Sequence, residues 1–151
     1  MPNRRQIVAF AGTLGIALAV SMPAFSAEPM IFSNGGSAIN GYDPVAYFTE
    51  GRPVEGSDEF TLTWNDAIWR FASAMNRDRF ESDPEAYAPR YGGYCAYAVA
   101  RDYTASTDPD AWSIHDGKLY LNYNKVVRGL WALDKDGNIQ KADRNWPGVL
   151  E

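Results

Sequence analysis

Phe60-Thr61-Leu62-Thr63-Trp64 alternates between apolar and polar positions with a period of two, the pattern of a half-buried strand. Asn65-Asp66-Ala67 reads as a turn, and Ile68-Trp69-Arg70-Phe71 as the returning strand of a hairpin. A second hairpin is marked by Asp116-Gly117 between Ala111-Trp112-Ser113-Ile114-His115 and Lys118-Leu119-Tyr120-Leu121-Asn122. Asp-Gly favours the two-residue turn whose twist matches paired strands. That loop sets His115 opposite Lys118, Ile114 opposite Leu119, Ser113 opposite Tyr120 and Trp112 opposite Leu121. Trp112, Ile114, Leu119 and Leu121 then share a core face, and Ser113, His115, Lys118 and Tyr120 share the wetter one.

Helical signals fill the intervals. Asp43-Pro44-Val45-Ala46-Tyr47-Phe48 predicts a short helix, with Asp to cap free amides and Pro at the first helical position. The same device recurs at Asp83-Pro84-Glu85 and Asp108-Pro109-Asp110. Ser73 is expected to cap a helix to about Phe80, with Met75 and Phe80 inward. Asn124 is expected to cap another, with Val127, Leu130 and Trp131 inward. Asp136-Gly137 should break it, and Asn138 should start a last helix, with Ile139, Ala142 and Trp146 inward, ending near Pro147. Strands and helices mix without a βαβ rhythm. The predicted class is α+β: two short antiparallel hairpins packed with several short helices in a single compact domain.

The N-terminus is patterned differently. Arg4 and Arg5 precede an apolar run from Ile7 to Val20, and Ala24-Phe25-Ser26-Ala27 offers small residues for cleavage. Residues 1–27 therefore read as a signal peptide. The run falls short of the ~20 residues of a spanning helix, so no stable membrane anchor is expected after cleavage. Asn3-Arg4-Arg5-Gln6-Ile7-Val8 loosely fits a twin-arginine signal, leaving both export routes open. Residues 28–40, small and polar with Gly35-Gly36, read as an N-terminal arm, and 41–151 as the folded domain. The expected location is periplasmic or secreted.

Charge removes one class of partner. The chain carries a formal −5, and loss of Arg4 and Arg5 with the leader takes it to −7. So acidic a domain has no electrostatic footprint for nucleic acid or anionic lipid. Five Trp and nine Tyr argue for a dense core and an aromatic-lined pocket. One cysteine, Cys95, excludes an internal disulfide.

Three segments carry a resemblance: "GYDPVAYF" (Gly41 to Phe48), Trp69 to Ala96 with its "RFASAMNRDRFESDPEAYAPRYGGYCA", and Asp108 to Asn124 with "DPDAW" and "DGKLYLNYN". In order and spacing the chain resembles the YHS domain family in its exported bacterial form. That family occurs beside copper-transporting ATPases and in some oxygenases, and the resemblance implies metal binding through cysteines. Two of those cysteine positions correspond here to Ala46 and Ala72. Cys95 is left, in the Gly-Gly-Tyr-Cys-Ala segment that matches the exported forms.

A soft thiolate suits copper(I) or haem iron, and imidazole suits many metals, so Cys95 and the sole histidine, His115, are the candidate metal ligands. Together they make half a tetrahedral site, and no CxxC or HxxxH completes it. Free cysteines usually sit in cores, so Cys95 also reads as a buried small hydrophobe, and after that as a redox or nucleophilic thiol. Tyr91, Gly92, Gly93 and Tyr94 are the candidate ligand-binding residues: aromatics with wet polar tips beside two residues without side chains. The leading expectation is a non-enzymatic binding module for a metal ion, a metal-bearing cofactor such as copper or haem, or a small apolar molecule. A thiol-dependent redox enzyme and a partner-binding domain without small ligand are the alternatives.

Overall fold

A computed structural model describes residues 27–151 and, ahead of them, Gly15 alone. Apart from Gly15 and Ala27, the expected leader lies outside the described residues. Among these, no helix is long and apolar enough to cross a membrane.

The first predicted hairpin forms the larger part of a mixed four-stranded sheet. β1 (Ser33–Asn34), β2 (Ser37–Ala38), β3 (Ser57–Trp64) and β4 (Ala67–Phe71) lie in the order β1-β2-β4-β3. β3 and β4 are antiparallel, joined through Asn65 and Asp66, both with positive φ, which these side chains tolerate. Alternation places Trp69 and Phe71 inward and leaves Ile68 exposed. β2 runs parallel to β4 and antiparallel to β1. Residues 28–40 are thus built into the domain: Ile31, Ala38 and Ile39 are buried in it.

The second hairpin, β5 (Trp112–His115) and β6 (Lys118–Leu121), has the predicted register at all four pairs. Its faces differ from expectation. Leu119 and Leu121 join the first core, with Tyr47, Trp69, Phe71 and Phe80. Tyr120, expected on the wetter face, is 2% exposed and packs on Trp131 and Tyr91 in a second core. Ser113 is buried too, accepting a hydrogen bond from Arg128 Nε at 3.1 Å, while Ile114 reaches solvent. The hairpin is a central partition with helices packed over the face that alternation alone would have left wet.

Among the described residues, six helices surround the sheets: α1 (Ala46–Thr49), α2 (Ala74–Ser82), α3 (Pro84–Tyr87), α4 (Ala96–Val99), α5 (Lys125–Ala132) and α6 (Lys135–Asn145). Ser73 and Asn124 cap α2 and α5 as predicted, each accepting from the amide three residues on. Phe80 is buried, but Met75 is 62% exposed, and Leu130 lies with Val126 and Leu133 on the outer side of α5. The expected break at Asp136-Gly137 falls inside the first turn of α6, because Asp134 caps that helix by accepting from Gly137 N. Asp108-Pro109-Asp110 is a turn and not a helix: Asp108 Oδ1 accepts from Asp110 N at 2.9 Å.

Asp43 does more than cap. It is fully buried. Its Oδ1 accepts from the amides of Val45 (2.8 Å) and Ala46 (3.3 Å), and its Oδ2 from Ala72 N (2.8 Å) and Asn76 Nδ2 (2.7 Å). One carboxylate thereby ties α1 to the start of α2.

Tyr47 and Tyr91 set an alkaline limit on this fold. Burial, first among the causes, raises both phenols above the ordinary value of 10.0. The folded chain holds these protons more tightly than the unfolded one. Their contribution to stability is therefore complete below that value and is lost as pH rises through and beyond it. The urea midpoint is expected to fall between about pH 10 and about pH 11.5. A midpoint unchanged over that interval would contradict the burial of the two phenols.

Candidate functional site

The chain between α3 and α4 makes a tight 3-10 turn, Arg90–Gly93, in which Tyr91 (φ 58°) and Gly92 (φ 62°) are both left-handed. That backbone strains a tyrosine by about 1–3 kcal/mol and persists where the surroundings over-determine it. Here they do. The Tyr91 hydroxyl donates to Asp143 Oδ1 at 2.9 Å, and its ring packs against Tyr120 and Trp146. Burial and the neighbouring Asp143 carboxylate both keep this phenol protonated.

The two glycines serve the chain itself. Gly92 O accepts from Phe32 N at 2.9 Å, and a Cβ on Gly92 would lie 1.8 Å from Met30 O. A Cβ on Gly93 would lie 2.5 Å from Ile39 Cγ2. The close approach expected of a ligand at Gly92-Gly93 is made instead by residues 30–39. Tyr94 is occupied in the same way: it is buried, and its hydroxyl donates to Pro29 O at 2.8 Å.

Beside this turn lies a cavity of about 380 Å³, between the N-terminal segment (Met30, Ile31), the end of β3 and the turn after it (Trp64, Asn65), α3 and its exit (Glu85, Pro89, Arg90) and the end of α6 with the residue that follows it (Asp143, Trp146). Tyr91 and Gly92 line it; Gly93, Tyr94 and Cys95 do not. Its volume is within the range of small-molecule sites, and its aromatic wall with a few charged groups has their usual composition. Residues from four separate stretches converge there. A second cavity of about 300 Å³ shares Arg90 and Asp143 with the first and is bordered by His115, Asp116, Lys118, Tyr120 and Asp136.

Cys95 is elsewhere. It is 1% exposed, and its Sγ donates to Asn122 Oδ1 at 3.6 Å and accepts from Tyr123 N at 3.3 Å. Burial raises the thiol's pKa, opposed by backbone amides that point at the sulfur. A protonated, enclosed thiol is a poor nucleophile and a poor soft ligand. Asn122 follows the end of β6, whereas His115 pairs with Lys118 at its start. Four residues of strand separate them by roughly 13 Å. The expected pairing of Cys95 with His115 in one metal site is therefore not made. His115 Nε2 lies instead 3.1 Å from Asp136 Oδ1 and 3.4 Å from Asp116 Oδ2. These three groups have ligand atoms within 4.8 Å of one another, with both carboxylates in solvent.

Reaction of Cys95 with a thiol reagent should be at least about a thousandfold slower in the folded protein than in urea, because access needs an opening that costs a sizeable part of the global stability. Rates within tenfold of each other would show that the sulfur is reachable.

Comparison with known proteins does not place the chain. No family model, curated protein or solved structure matches it. The site therefore rests on its own geometry. Trp64, Arg90, Asp143 and Trp146 carry no signal of convergence in the sequence. Trp64 reads as the end of a strand and Trp146 as an inward helix position, and neither pattern says that the two border one cavity.

Proposed function

We propose that this chain is an exported, YHS-like binding module that holds a small organic molecule in the cleft between Trp64, Tyr91 and Trp146. The observation that carries the reading is the 380 Å³ cavity, walled by aromatics from separate elements and edged by Arg90, Glu85 and Asp143. The strained turn at Tyr91 supports it, since strain of that kind gathers at ligand sites. Export to the periplasm or medium is proposed on the leader pattern, and YHS kinship on the three segments quoted above.

The burial of Cys95 removes the support that this residue lent to copper, to haem or to a thiol-dependent enzyme. Binding is the activity proposed, and the thiol serves packing. Native mass spectrometry of the exported protein tests this. A co-purified small molecule should be carried by wild type and by Cys95→Ala and lost from Trp146→Ala, with circular dichroism showing that both variants are folded. Retention in Trp146→Ala together with loss from Cys95→Ala would return the site to the sulfur.

A further inference from the structure

The charges on the cleft wall narrow the class of ligand. Arg90, Glu85 and Asp143 line one cavity, and among the described residues none of the three makes an ion pair within 4.0 Å. Asp143 accepts from the Tyr91 hydroxyl, a neutral donor that leaves the carboxylate its charge. Arg90 lies beside the Tyr120 phenol, a neutral neighbour that does not quench the guanidinium. A cavity wall carrying both signs of charge, unpaired with each other, is complementary to a ligand that carries both.

Much of the rest of the wall is apolar or aromatic, with Trp64, Trp146, Ile31 and Met30 beside the polar Asn65. Indole faces accept an apolar body and also attract an ammonium group through the ring quadrupole. A simple anion would meet two carboxylates for one guanidinium, and a simple cation would meet the guanidinium. We infer that the ligand is a small zwitterion of amino-acid size with an apolar or aromatic body. Its carboxylate pairs with Arg90, and its ammonium with Glu85 and Asp143. The inference rests on the cleft being the binding site, and it adds the chemistry of the occupant.

The test uses four probes that share one body: L-phenylalanine, phenethylamine, hydrocinnamate and the uncharged hydrocinnamide. Binding is read by calorimetry and by quenching of tryptophan fluorescence. L-phenylalanine should bind best, with each one-charge analogue weaker by about tenfold or more, the usual effect of losing a charge-assisted contact. Arg90→Gln should erase the preference for L-phenylalanine over phenethylamine. Glu85→Gln with Asp143→Asn should erase its preference over hydrocinnamate. All three residues are exposed, and Asn at 143 keeps an acceptor for the Tyr91 hydroxyl, so the fold should survive these changes. Hydrocinnamide binding as tightly as L-phenylalanine, in a manner lost with Trp146→Ala, would overturn the zwitterion while leaving the cleft as the site. Failure of all four probes to bind would also overturn the zwitterion. The cleft itself is judged separately by the co-purified molecule.

Discussion

Gly92→Ala should destabilise the protein by about 4 kcal/mol and detach the N-terminal segment from the cleft. Three effects add. A left-handed backbone costs alanine roughly 1 kcal/mol more than glycine. The new methyl would lie 1.8 Å from Met30 O, so residues 30–32 must lift. Lifting them forfeits the hydrogen bond from Phe32 N to Gly92 O, about 1 kcal/mol, and the burial of Ile31, about 2 kcal/mol. Met30 and Ile31 form one side of the cavity, so affinity for the proposed ligand should fall with stability. Urea unfolding measures the first effect, and proteolysis near residue 30 measures the second. A variant with wild-type stability would show that the close approach at Gly92 is absent.

Asp43→Ala is expected to cost still more, about 5 kcal/mol, comparable to the whole stability of many domains. Four donors lose their acceptor at once: the amides of Val45, Ala46 and Ala72, and the side-chain amide of Asn76. Buried donors left unpaired cost about 1–3 kcal/mol each, discounted here for local relaxation and entry of water. Asp43→Asn should recover less than half. Its one carbonyl oxygen can serve one pair of donors, and its NH₂ group then faces the other pair donor to donor. Chemical denaturation of both variants checks this. An asparagine variant as stable as wild type would mean that the four bonds are not simultaneously made.

Periodicity made much of this fold legible. Period-two alternation with Asp-Gly predicts the β5–β6 register residue by residue, because a two-residue turn leaves no freedom of pairing. Capping by Ser73 and Asn124 is local chemistry and is readable for the same reason. Alternation cannot say whether the second face of a hairpin is covered. Tyr120 and Ser113 are buried because α5 and α6 close over them, a tertiary fact. Met75 and Leu130 fail in the opposite sense: an apolar residue near a predicted stripe need not face the core. At Asp136-Gly137 a turn signal was overridden by a better cap two residues earlier, at Asp134.

The candidate site was legible only in part. Tyr91 and Gly92 border the cleft, but the Gly-Gly pair reads alike whether a ligand or the chain's own backbone comes close. Residues 30–39 fill that space. Cys95 is the one thiol of the chain, and sequence does not reveal that Asn122 and Tyr123 enclose it. Arg90, Asp143 and the two tryptophans are brought together by the meeting of the two cores, which no local pattern encodes.

An amide and indole chemical-shift map of the protein, recorded as any co-purified molecule or L-phenylalanine is added, tests the proposed location of the site most directly. The structure predicts that the perturbed signals are those of Gly92, Tyr91 and the indoles of Trp64 and Trp146, with Cys95, Asn122 and Tyr123 unmoved. Perturbations centred on Cys95, Asn122 and Tyr123, with both indoles silent, would contradict it.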